Sequence, residues 1–121
     1  MLAAVASLVL SMSVAVSTGG TGGHDGVMSY DAPTCTIRLA PWVDKSLETR
    51  RPRNPRLPYA VYVFGHELGH CAQMRDGRPY SEEDANHFAA TRFKIVSKAL
   101  GISPRARNRL WRNLPPAWRR A

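Results

Sequence analysis

The stretch Val63–His70 reads VFGHELGH, and whether it forms a metal-binding helix or an ordinary amphipathic one decides how the rest of the chain is read. Two histidines four residues apart stand one above the other on a helix, so His66 and His70 can present imidazole nitrogens to one ion. Glu67 lies about 100° further round, too far to be an equal ligand but within reach of a water bound to that ion. Zinc lowers the pKa of such a water to about 7, and a neighbouring carboxylate can take its proton. Gly69 costs the helix about 1 kcal/mol relative to alanine, which points to another backbone packing close to it. The competing reading, a metal-free helix with two histidines, turns on whether the chain supplies a third ligand.

Outward from this motif, Tyr59–Arg75 has a helical pattern, with Val61, Phe64, Leu68 and Cys71 in one stripe and Asp76-Gly77 as the stop. Next comes SEEDANHFAA, in which Ser81 and Asp84 have capping-box spacing and carboxylates fill the first turn. Ala85, Phe88, Ala89, Val96, Ala99 and Leu100 give this second helix its apolar face, and Gly101 followed by Ile102 signals a Schellman ending. A catalytic zinc site needs three protein ligands and an open position. Glu82, Glu83 and Asp84 are all candidates for the third, although carboxylates in a first helical turn also serve the helix dipole.

HELGH followed by E-x-x-A-N-x-F-A-A, here Glu82 to Ala90, resembles the ImmA/IrrE-type family of small gluzincin metallopeptidases. The resemblance covers Tyr59 to Phe93, about a third of the chain. It implies that Glu82 is the third zinc ligand, with Asn86 one turn on as a partner that orients the site. It also implies a minimal zincin-like α+β domain, with short strand structure packed on the HExxH helix and a second, glutamate-bearing helix. The expected activity is zinc-dependent peptide-bond hydrolysis through a zinc-bound water activated by Glu67. Tyr62 and His87 are candidate donors to the transition state. Aromatic packing competes for Tyr62, as it does for Tyr59, and surface pairing with Glu83 competes for His87.

Upstream, APTCTIRLAPWV alternates as a half-buried strand, with Cys35, Ile37 and Leu39 on one face and Pro41 closing it. By analogy with zincin-type folds, this strand is expected at a sheet edge, where it could pair with extended peptide. If it lies beside the metal helix, a Cys35–Cys71 disulfide could tie the two. The Arg- and Pro-rich run from Asp44 to Pro58 reads as a long exposed loop. Ser17–Gly26 has the composition of a flexible linker. Leu2–Val16 is apolar or small and ends near Ser13-Val14-Ala15, which resembles a secretory signal lacking its basic start. Export is therefore favoured over a cytoplasmic location. The expected divisions are 1–17 as signal or N-terminal apolar segment, 18–30 as glycine-rich linker, 31–102 as metallopeptidase core and 103–121 as basic helix and tail.

The chain has 17 Lys and Arg against 9 Asp and Glu, a net charge of +8 in 121 residues. Such a surplus favours anionic partners and says nothing of fold. Arg105, Arg107, Arg109 and Arg112, with Trp111 and Trp118 nearby, suit nucleic acid or an anionic membrane surface. The alternative function is thus a zinc-stabilised, non-catalytic binding module acting through this Arg/Trp tail. The bland reading of the same tail is a solvated helix face with both tryptophans packed on the domain.

Overall fold

The computed structural model describes residues 1–120. The order is α1 (Leu2–Leu10), β1 (Ser13–Thr18), β2 (Gly26–Asp31), β3 (Thr34–Leu39), α2 (Pro41–Thr49), α3 (Leu57–Arg75), α4 (Glu82–Thr91), α5 (Phe93–Ala99), α6 (Pro104–Asn113) and α7 (Pro116–Arg119). This is an α+β fold, with a three-stranded mixed sheet in the order β1-β3-β2. β1 runs parallel to β3, in register from Ser13 opposite Thr34 to Thr18 opposite Leu39. β2 runs antiparallel to β3, from Gly26 opposite Leu39 to Asp31 opposite Thr34. Cys35, Ile37 and Leu39 point into the core as their alternation predicts.

Residues 1–17 pack on the rest of the chain: α1 buries Leu2, Val5, Ala6 and Leu10, and β1 supplies a strand of the sheet. Cleavage near Ala15–Ser17 would remove α1 and most of β1 from the sheet. The helix ends at Ser11 in the left-handed region, with φ 53°, and the Arg75 guanidinium donates to the Leu10 carbonyl. A cation at a helix C-terminus satisfies an orphan carbonyl and opposes the dipole. Uniform apolarity concealed the segment's sidedness, since Leu8 is as apolar as its neighbours yet exposed. Among the described residues, no helix is long and apolar enough to cross a membrane.

Three further boundaries shift. The linker assigned to 18–30 contains β2, reached through a turn in which Gly19, Gly20, Gly22 and Gly23 all have positive φ. The loop expected from Asp44 begins instead as part of α2, because Pro41 sits in the first turn of a helix, where its missing N–H costs nothing. The prolines at 52 and 55 lie in the irregular connection after it. Residues 103–120 also join the core, through Ala106, Leu110 and Leu114. The helix expected through Glu82–Leu100 is interrupted at Arg92, where Thr91 Oγ1 donates back to the carbonyls of His87 (2.9 Å) and Phe88 (3.4 Å). Such back-bonding bends helices. The Schellman ending is present, with Ile102 N–H on Ser97 O and Gly101 N–H on Lys98 O.

α3 and α4 pack along a seam of small residues, which brings Glu82 and Asn86 to the face of α3 that carries the histidines. A Cβ added at Gly65 would lie 3.2 Å from Ala89 Cα. One added at Gly69 would lie 3.0 Å from Phe88 Cβ and 3.1 Å from Ala85 Cα. Gly69→Ala gains about 1 kcal/mol of helix propensity but overpacks backbone against backbone, a cost of about 1–3 kcal/mol. The expected result is net destabilisation of up to about 2 kcal/mol, read as a lower urea midpoint. A raised midpoint would show that the seam is looser than its geometry indicates.

A disulfide joins Cys35 on β3 to Cys71 on α3, 36 residues apart. Closing a loop of that length stabilises by about 3–4 kcal/mol, through the entropy it removes from the unfolded chain. A Cys35→Ala/Cys71→Ala variant is expected to lose that amount in urea unfolding, and a loss below about 1 kcal/mol would contradict it.

Candidate metal centre

His66 and His70 project from the same side of α3, with their Nε2 atoms 3.1 Å apart. Glu82, the first residue of α4, places Oε1 2.8 Å from His70 Nε2 and Oε2 3.2 Å from His66 Nε2. The three side chains offer ligand atoms that all lie within 4.8 Å of one another, and the group could hold a metal ion. Ligands about 2.0–2.1 Å from a tetrahedral zinc would stand about 3.3 Å apart, close to the observed spacing.

The second nitrogen of each ring determines what the first can do. His70 Nδ1 lies 2.9 Å from Gln73 Oε1. The Gln73 amide cannot be reversed, because its Nε2 donates to Ser81 O (2.8 Å) and to Asp84 Oδ2 (2.9 Å). Its oxygen therefore faces His70, so Nδ1 carries the hydrogen and neutral His70 turns an Nε2 lone pair toward the cluster. His66 Nδ1 lies 2.7 Å from Asn86 Oδ1, which sets the same tautomer. Two imidazole lone pairs and a carboxylate then face one point and repel one another unless a proton or a cation lies between them. The donor set fits a zinc-type ion, and Asn86 and Gln73 are the outer partners such histidines require.

The electrostatics follow from depth. Burial holds the His66 pKa below its ordinary value. Burial also pulls the Glu82 carboxyl upward, but a hydrogen bond from Tyr80 and the two imidazoles outweigh it, and the net shift is down. Glu67 is buried, at 6 % exposure, beside the cluster. Burial first, and the charge of Glu82 second, raise its pKa to about 7. Gly26 at the start of β2 allows this arrangement, since a Cβ there would sit 2.9 Å from Glu67 Cγ.

Two clefts flank the cluster. One, of about 410 Å³, runs past Glu67 and His66 toward Tyr62 and Trp118. The other, of about 390 Å³, runs past His70 and Glu82 toward Tyr80 and Met28. Both are bordered by β2, one of the two edge strands. The strand Thr34–Leu39, expected at the edge, is instead central and paired on both sides, so it has no free backbone to offer.

The remaining candidates separate clearly. Tyr62 donates its hydroxyl to the Asn86 carbonyl at 3.3 Å, and its ring packs on Trp118. Tyr59 packs edge-on to the same indole. His87 borders a different depression, with Ser81, Glu83, Asp84 and Arg120, away from the clefts beside the cluster. Asp84 takes a structural role: its N–H donates to Ser81 Oγ, and its carboxylate accepts from Gln73 and from Arg78 at 2.8 Å.

Two contributors escaped the sequence reading. Gln73 stands one turn beyond His70, a spacing that could have exposed it. Tyr80 stacks on His70 with ring centroids 4.1 Å apart and planes 1° from parallel, and it hydrogen-bonds Glu82. Burial first, then the bond to Glu82, raise its pKa to about 12, although the residue as a whole is exposed. No pattern in GRPYSEE signals that stack. No family model, curated protein or solved structure matches this chain.

Proposed function

We propose that this protein is a zinc-dependent peptidase in which His66, His70 and Glu82 hold the metal and Glu67 is the general base. The observation that carries the reading is the convergence of two Nε2 lone pairs and a carboxylate on one point, with a buried glutamate alongside. The resemblance of HELGH and E-x-x-A-N to ImmA/IrrE-type metallopeptidases supports the same choice. When bound, zinc supplies Lewis acidity and brings the pKa of its water near 7. Glu67 takes a proton from the attacking water and passes it to the departing amine nitrogen, a role open to a buried carboxyl beside the cluster. Asn86 and Gln73 keep both imidazoles in the ligating tautomer, and Tyr80 steadies Glu82. The free side of β2 suits an extended backbone, which can add to a sheet edge by main-chain hydrogen bonds.

The reading is tested by measuring zinc in protein purified without added metal, together with cleavage of a mixed peptide library by the zinc-loaded chain. Absence of zinc that cannot be restored by loading would sink it, as would zinc-loaded protein inert to every peptide. The alternative, a zinc-stabilised binding module, draws on the exposed arginines of α6. It gains nothing from the tryptophans, because Trp111 packs on Phe93 and Trp118 on the two tyrosines. That module would bind anionic polymers with steep salt dependence and hydrolyse nothing.

A further inference from the structure

The two clefts beside the cluster differ in their walls. On the Tyr80 side the walls are Tyr80, Glu82 and His70 beside Met28, and polar atoms dominate. On the other side Tyr62, Val63, Ala117 and Trp118 form an apolar and aromatic wall beyond Glu67 and His66, facing His24, Asp25 and Asn86 on the polar side of the same cleft. α7 supplies Ala117 and Trp118 to that wall. Leu114 is buried, and after Pro115 the Trp118 N–H donates to the Pro115 carbonyl at 2.9 Å. The indole then lies 4.7 Å from the Tyr62 ring and 5.2 Å from the Tyr59 ring, centroid to centroid. Tyr62 is itself held by its bond to the Asn86 carbonyl. The aromatic wall is thus fastened to α3 and α4, the two helices that carry the metal-site residues.

We propose that Trp118 is a specificity-determining residue: the cleft it closes takes a large aliphatic or aromatic side chain of the bound peptide, at the residue next to the scissile bond. The inference rests on the peptidase reading and adds the substrate class. A cleft of this volume, apolar on one wall and polar at its floor, is typical of sites that bury a ligand group and orient it. Continuity with Glu67 and His66 places the buried side chain beside the reacting carbonyl. On the Tyr80 side, the polar walls discriminate little among apolar residues.

Two measurements test the proposal. The first compares hydrolysis of two heptapeptides that differ only in a central Leu or Ala by wild type, Trp118→Ala and Trp118→Phe. Wild type is expected to favour Leu by about 10–100-fold in kcat/KM. Trp118→Ala should erase most of that preference, and Trp118→Phe should restore much of it. Equal loss on both peptides, or no preference in wild type, overturns the proposal. The second measures binding of the same peptides to zinc-loaded Glu67→Gln protein by calorimetry, with and without Trp118→Ala. A Leu preference that depends on Trp118 there, with no hydrolysis by wild type, sinks the peptidase reading and keeps the pocket. Hydrolysis without a Trp118-dependent preference sinks the pocket alone.

Discussion

Glu67→Gln is expected to lower kcat for peptide hydrolysis by about 10²–10⁴-fold while leaving the zinc content unchanged. Glutamine has the same shape, so the contact with Gly26 and the burial against β2 persist, and Glu67 is not among the converging ligand atoms. What is lost is the ability to accept a proton from water. A variant that keeps its metal and more than about a tenth of wild-type activity would remove Glu67 from the role of base.

The same substitution has a signature in stability. The Glu67 pKa is raised from 4.5 to about 7 in the fold, so the fold favours the protonated carboxyl. Below pH 4.5 both folded and unfolded chains hold that proton, and the contribution is fully present. As pH rises toward 7 the unfolded chain ionises first, so stability falls, by about 3 kcal/mol in all. Burial of His66 acts in the opposite direction near its own titration. The informative quantity is therefore the difference between metal-free wild type and metal-free Glu67→Gln. That difference should decline between pH 4.5 and 7 and then level off. A flat difference would mean that Glu67 ionises as a solvated carboxylate does.

With zinc in the proposed site, its removal should cost the folded state a comparable amount. Zinc at a thousand times its Kd stabilises by about 4 kcal/mol, roughly 10–20 °C in Tm for a chain of this size. Beyond mass action, chelation leaves two imidazole lone pairs and a carboxylate facing one another at 2.8–3.2 Å. His70→Ala should abolish the response to added zinc, because His70 is the most buried ligand at 1 % exposure, and its loss leaves the Gln73 carbonyl without that N–H. Identical melting of wild type with zinc and with chelator would contradict the site, and so would a His70→Ala protein that responds as wild type does.

Local patterns were legible where the physics is local. The α3 stripe, the Ser81 cap, the Schellman ending at Gly101 and the alternation of Cys35, Ile37 and Leu39 depend on neighbours within a few residues, and all are present. Misreadings arose where composition stood in for geometry. An unbroken apolar run does not reveal which of its residues face a core, so the sidedness of α1 is invisible in the sequence. GVMSYD is too short and too weakly alternating to stand out from the glycines before it, so β2 was absorbed into a linker. Strand order is a non-local property, and β3 was therefore placed at the edge that β2 occupies.

By itself the sequence determined that His66 and His70 share a helix face, with Glu67 offset from both, because an α-helix turns about 100° per residue. It also determined a capped second helix that begins at Glu82. Only the tertiary structure decided that Glu82 reaches both Nε2 atoms, since that depends on how closely α4 approaches α3 along Gly65 and Gly69. The tautomers likewise depended on Gln73 and Asn86, side chains whose role appears only when two helices meet. The aromatic wall came last to view, because Trp118 lies 51 positions beyond Glu67 in the chain and only packing on Tyr59 and Tyr62 brings it to the cleft.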